Sequence, residues 1–299
     1  AADDRPMPTS VGTPEPKPGA PDPPAAAPTE YVSYLSRAEL RPFDTPPGEA
    51  ALAAVLGHLV GSDWAAQFAA LDDVRRFAAF APGVLTQGAG LRGVVAAARA
   101  LAESPRSTLA KNGLRCLGEL FVGCGAALNA ELEACLATCV KRASDASRFI
   151  TDEAHQAVRE ICGAAPEGHL LGQLLRLAGH KIPASRSAAM WGLAMLAQRM
   201  RGSTIASREA PGMAQAVVKA MRDPSQDVRQ SARGLAAALM AWDRDGGRLG
   251  ALVGREPFRV LCDAVPAGLD LEAFDASDRG AIGGLGGTRK TGGGGGAGG

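Results

Sequence analysis

"VGSDWAAQFAALDDVRRFAAF", residues 60–80, decides the fold. Phe68, Leu71, Val74 and Ala78 recur at helical spacing, continuing a stripe begun by Leu52, Val55, Leu56 and Leu59 on the segment before. Gly61-Ser62-Asp63 separates the two stripes, and Asp63 is a natural N-cap whose carboxylate accepts from the orphan amides of a first helical turn. The reading is two helices joined by a tight polar bend. Trp64, one of three tryptophans in a chain that is only 4% aromatic, then falls at the tip of the second helix. Core aromatics usually sit nearer the middle.

The same unit recurs. "GLRGVVAAARALAE" precedes "PRSTLAKNGLRCLGELF", "AELEACLATCVKRAS" precedes "RFITDEAHQAVREIC", and "EGHLLGQLLRLAG" precedes "PASRSAAMWGLAMLAQRM". A fifth pair is "GMAQAVVKAMR" with "SQDVRQSARGLAAALMAW", and a weaker sixth uses "GRLGALVG" and "EPFRVLCDAV", shortened by glycines and Pro257. Phe68, Leu109, Ile150, Ser185 and Val228 are equivalent positions, separated by 41, 41, 35 and 43 residues. Two-helix units at about forty residues mark HEAT or armadillo repeats, in which each unit buries its apolar face only by stacking on its neighbours. The predicted fold is all-α, a HEAT/armadillo-type α-solenoid of five to six helix pairs. Its bends, "VGSDW", "ESPRS", "ASDASRF", "GHKIPASR" and "RDPSQDVR", are expected along one edge, which carries Trp64, Arg106, Lys111, Arg148, Lys181, Arg186 and Arg229. Asp63, Asp145, Asp223 and Asp227 lie there too, several of them expected to serve as helix caps.

Composition bounds the rest. Residues 1–38 are rich in Pro and Ala and residues 269–299 are rich in Gly, so neither segment buries enough apolar surface to order itself, and both are expected to be disordered around a folded domain at 39–268. The first residue is not Met, and the chain is expected to be a piece of a longer protein. Residues 48–268 carry 25 Lys and Arg against 20 Asp and Glu, a mildly basic +5 that suits an acidic protein surface and falls short of a nucleic-acid binder. Cys116, Cys124, Cys135, Cys139, Cys162 and Cys262 lie inside apolar helical patterns, which with no signal peptide points to reduced thiols in the cytoplasm. No run of 18 apolar residues suggests a membrane span. Cys135 and Cys139 share a helix face with His155 on the next helix, but a closed zinc site needs a fourth ligand, and core thiols are the reading. His58, His169 and His180 pair with no Ser or Cys as base and nucleophile. The one Gly-rich run follows no strand and opens no helix, so it is no phosphate loop. No enzyme, cofactor or small-molecule substrate is expected.

In order and spacing, these units resemble a TOG domain, the tubulin-binding module of about six HEAT repeats, over residues 39–265. "DWAAQFAALDDVRRFA" follows that family's opening pattern, with Trp in the first bend before an Ala-Leu core pair. "SPRSTLAKNGLRCLGELF", "RFITDEAHQAV", "KIPASRSAAMWGL" and "DPSQDVRQSAR" follow in turn. The lead-in "ELRPFDTPPGEAALAAVLGHLVGSDW" is similar to the crescerin group of ciliary and axonemal TOG-array proteins, while the second and third units also resemble the CLASP group. The resemblance implies a microtubule regulator of the cytoskeleton, with the cilium or axoneme as a specific setting, that binds αβ-tubulin through the bend edge. It places Trp64 on a hydrophobic spot of β-tubulin, Arg106 and Lys111 on acidic groups beside it, and Lys181, Arg186 and Arg229 toward α-tubulin. Gln67 departs from the Lys or Arg that many members carry one turn after the Trp, and Pro105 and the Ala-rich helix faces also differ.

Plainer readings stand beside these. Trp64 and Phe68 share a helix face, so Trp64 is either a contact residue or a staple of the first bend. Arg186 and Arg229 are either contacts or internal ladder residues bonding carbonyls and acidic caps of adjacent repeats. The alternative for the whole chain is a generic HEAT scaffold that holds another protein without touching tubulin.

Overall fold

The computed structural model describes residues 33–88, 90–200, 204–242 and 247–265, without the side chains of 204–207 and 247. The expected disordered segment as far as residue 32, and the Gly-rich tail over 269–299, lie outside the described residues.

Six helix pairs follow one another, as the repeat predicts. They are α1 (Glu49–Leu59) with α2 (Trp64–Phe80), α4 (Gly90–Ala102) with α5 (Ser107–Cys124), and α6 (Leu132–Arg142) with α7 (Arg148–Ala164). Then come α8 (Glu167–Leu177) with α9 (Pro183–Met200), α10 (Thr204–Ala220) with α11 (Gln226–Met240), and α12 (Gly247–Val253) with α13 (Arg255–Ala264). No strand occurs among the described residues. One short helix, α3 (Pro82–Gln87), stands between the first two pairs, outside the repeat. Pro82 opens it, where its missing N–H costs nothing, and Leu85 is fully buried.

The second helices of the pairs lie side by side in the order α2, α5, α7, α9, α11, α13. The chain is thus an α-solenoid whose core runs between helix layers. The seam between α7 and α9 is thinner than those on either side. Arg199 reinforces it from α9, donating to the carbonyls of Cys162 and Ala165 that the end of α7 leaves without helical partners.

Helix α5 is the hub, packed on α2, α4 and α7 at once. Leu109, Leu114, Leu117, Leu120 and Phe121 are each no more than 3% exposed. Burying one such side chain contributes roughly 1.5–3 kcal/mol. Two glycines let the backbones close in. A Cβ on Gly113 would stand 2.6 Å from the amide nitrogen of Ala102 on α4, and one on Gly123 would stand 2.1 Å from the carbonyl oxygen of Ala78 on α2.

Polar groups lock the hub. Asn112 of α5 is buried and donates to the Phe68 carbonyl (3.2 Å) and the Asp72 carboxylate (3.1 Å) on α2. The fully buried Arg75 guanidinium of α2 forks onto Glu119 of α5 (2.9 and 3.1 Å), and also donates to Asp72 (2.8 Å) and to the carbonyl of Leu35 (2.7 Å). Arg115 of α5 donates to the same carbonyl (3.0 Å) and forks onto Glu153 of α7 (2.8 and 3.0 Å).

Leu35 belongs to a strap that precedes the first pair. The compact unit begins at Tyr34, so the expected domain start at residue 39 falls inside the strap. A short 3-10 turn, Arg37–Glu39, is closed by the Ser36 amide donating to the Glu39 carboxylate (2.7 Å). Leu40 is buried, and Phe43 packs on Phe77 beneath the Arg76 guanidinium. The Ser-x-x-Glu spacing is a capping box readable in the sequence. The Pro-rich run before it hides that signal.

All six cysteines are unpaired. Burial pushes the Cys124 thiol up to about 11 and those of Cys135 and Cys162 up to about 12, and it raises Cys116 and Cys139 as well.

Two predictions follow from this packing. Glu119→Ala removes the two-point partner of the buried Arg75 cation, leaving it only Asp72 and the Leu35 carbonyl, and lowers unfolding free energy by about 3–5 kcal/mol in denaturant titrations. A chromogenic disulfide reagent at neutral pH modifies the exposed Cys262 rapidly, and the other five thiols react only slowly until the chain unfolds.

Candidate binding edge in the bends

The bends of the first five pairs are closed by the same device. Five residues before Phe68, Leu109, Ile150, Ser185 and Val228 stands a side chain that accepts a hydrogen bond from the amide two positions on. Asp63 accepts from Ala65 (3.0 Å), Ser104 from Arg106 (3.2 Å), Asp145 from Ser147 (2.9 Å), His180 from Ile182 (3.3 Å) and Asp223 from Ser225 (2.9 Å). Asp63 thereby takes an orphan amide of α2, while the other four close a side-chain turn on the residue just before the following helix, which sets where that helix starts. Of the aspartates expected as helix caps, Asp63 caps α2, whereas Asp145 and Asp223 accept from Ser147 and Ser225, the residues that precede α7 and α11. Ser104 and His180 fill the same position in the other two bends. Asp227 lies outside this set, as the second residue of α11.

On this frame the candidate residues separate into exposed groups and committed ones. Trp64 follows Asp63 and is half-buried, and the Arg106 guanidinium of the second bend stacks over its indole at 4.6 Å. Arg106 is itself exposed. Arg148 is exposed at the start of α7 with Asp152 at 3.4 Å, and Lys181 is exposed in the fourth bend. Apolar side chains interleave with them: Val60 is 70% exposed and Ile182 46%.

Lys111, Arg186 and Arg229 are turned inward. The Lys111 ammonium lies 3.9 Å from the Phe149 ring centroid and 3.8 Å from Glu153. Arg186 forks onto Asp223 of the next repeat (2.7 and 2.9 Å) and donates to the His180 and Lys181 carbonyls of its own bend. Arg229 repeats the second half of this arrangement, donating to the Asp223 and Pro224 carbonyls. Gln67 does the equivalent in the first bend, donating to Gly61 (2.7 Å) and Leu59 (3.3 Å). The residue that departs from the TOG pattern is a clip on the bend beneath Trp64.

Among the described residues, no group of three or more His, Cys, Asp or Glu is placed to hold a metal. Cys135 and Cys139 are core residues, and burial holds His155 below the usual imidazole value. No helix among the described residues is long and apolar enough to cross a membrane.

Helix pairs stacked in register, with cations and an aromatic in successive bends, define a TOG-type HEAT solenoid. Comparisons with known proteins agree. The CLASP N-terminal family matches residues 87–244, and the chain belongs to that family. No curated protein matches it by sequence. A structure from work on microtubule plus-end tracking by XMAP215, CLIP-170 and EB1 is similar, with 15% identity and a TM-score of 0.55 over 70% of this chain and 88% of that one. A TOG domain of crescerin, described as regulating microtubules in the primary cilium, gives 18% identity and 0.51 over 76% and 87%. The MAST/Orbit N-terminal domain gives 15% and 0.50 over 81% and 100%.

The Arg186 fork and the Ser225 amide hold the Asp223 carboxyl below the usual carboxylate value. A carboxyl lowered by folding contributes stability that is complete above its unfolded pKa and fades as pH falls through the lower folded one. Wild type is therefore expected to lose melting temperature more steeply than Asp223→Asn below about pH 4, as followed by circular dichroism.

Proposed function

We propose that this domain binds αβ-tubulin through the bend edge and regulates microtubule assembly without catalysing a reaction. The observation that carries the reading is the Trp64–Arg106 pair: a scarce aromatic at a helix tip, capped in place by Asp63 and overlaid by an exposed guanidinium. Indole and guanidinium are the groups most enriched at protein-binding hot spots. Tubulin is acidic, so Arg106, Arg148 and Lys181 steer and orient it while Trp64 supplies the desolvated contact. Lys111, Arg186 and Arg229 support this surface from within, holding the aromatics and bends that present it. The CLASP family membership and the likeness to XMAP215-type and crescerin TOG structures support the tubulin assignment, and the crescerin likeness supports a ciliary or axonemal setting within the cytoskeleton.

Binding of purified soluble tubulin, by size-exclusion co-elution and fluorescence titration, tests the reading. Trp64→Ala is expected to weaken binding about tenfold or more. Arg106→Glu/Lys181→Glu is expected to weaken it further at low salt and to flatten its salt dependence. Folded variants that bind tubulin as wild type does would remove the bend edge as the site.

A further inference from the structure

The third bend presents a second aromatic. Phe149 is 40% exposed, while its neighbour Ile150 is 1% exposed and occupies the core position of the repeat. The sequence "RFI" reads as the start of a buried run, and nothing in the spacing marks the ring as a surface group. Its surroundings are built. The Lys111 ammonium lies over one face at 3.9 Å, and Tyr34 of the strap meets it edge-on at 5.8 Å. Tyr34 in turn packs edge-on against Phe68 at 5.4 Å. The adjoining Leu35 carbonyl is pinned by Arg75 and Arg115.

We infer that Phe149, held by Tyr34 and Lys111, is a second aromatic anchor for αβ-tubulin, paired with Trp64 across the second bend. The inference rests on the tubulin reading and deepens it. Both rings carry a cation from the second repeat, Arg106 over Trp64 and Lys111 over Phe149. Both therefore offer an apolar surface edged with positive charge. Such a surface fits a shallow apolar depression on an acidic protein. One helix, α5, lies between those that carry the rings, and two helix spacings of 8–10 Å put the matching depressions about 16–20 Å apart. One anchor leaves a partner free to pivot. Two fix its orientation along the edge. A ring already fixed from beneath also loses little side-chain freedom on binding, so its contact area converts efficiently into affinity.

Tyr34 is a positioning residue in this arrangement. It acts through Phe149, which makes the strap part of the site. Its hydroxyl is buried with no hydrogen-bond partner, so the ring, not the oxygen, does the positioning.

The test measures soluble αβ-tubulin affinity for wild type, Trp64→Ala, Phe149→Ala, Phe149→Gln, Tyr34→Phe, Tyr34→Ala and the Tyr34→Ala/Phe149→Ala double variant. Thermal melts restrict the comparison to folded proteins. Phe149→Ala and Phe149→Gln are each expected to weaken binding about tenfold. Tyr34→Phe should bind as wild type. Tyr34→Ala should weaken binding in the wild-type background and have no further effect once Phe149 is removed, a coupling that general loosening of the fold would not produce. If Trp64→Ala weakens binding while both Phe149 variants bind as wild type, the second anchor is overturned and the tubulin site stands. If wild type fails to bind tubulin, or Trp64→Ala has no effect, the tubulin reading fails and the anchor falls with it.

Discussion

A single guanidinium, that of Arg75, meets four acceptor atoms at once: both oxygens of Glu119, one of Asp72 and the carbonyl of Leu35. A cation taken out of water costs several kcal/mol unless its geometry is satisfied, so this group tolerates little displacement of its neighbours. It fixes the rotation of α5 against α2, and the position of the strap against both. The start of α5 then determines where Arg106 and Lys111 project. The relation of Trp64 to Arg106, and of Phe149 to Lys111 and Tyr34, follows from that one buried charge and the close helix approach at Gly113 and Gly123.

The bends divide the basic residues by task. Arg186 and Arg229 reach back to carbonyls five and six residues earlier in their own bends, as Gln67 does to Gly61, and Arg186 adds a fork across to Asp223. These side chains keep the bends closed. Arg106, Arg148 and Lys181 stay on the surface. Charge counting along the edge treats the two groups alike, although only the second is exposed to solvent.

The helix pairs, their bends and the all-α class were legible because apolar residues at helical spacing alternate with Gly, Pro, Asp and Ser at fixed positions. The sequence allows both roles for Arg186, and choosing between them needs its distance to Asp223, 37 residues away. Apart from its Ser-x-x-Glu capping box, the strap was not legible as structure. Its order comes from backbone carbonyls accepting from Arg75, Arg76 and Arg115, and a backbone acceptor has no sequence signature. Phe149 was hidden for a related reason. Its exposure depends on Ile150 taking the core position, and its rigidity depends on Tyr34, more than a hundred residues before it.

The bend acceptors have a corollary for how the edge is built. Asp, Ser, Asp, His and Asp do one job at one position, while the residue immediately after each is Trp64, Pro105, Ala146, Lys181 or Pro224. Folding is secured by the first of these two neighbours, and the second is left open to change. The edge is therefore like a rack of fixed sockets with exchangeable heads: the side chain that follows each acceptor differs from bend to bend while the turn beneath it stays the same.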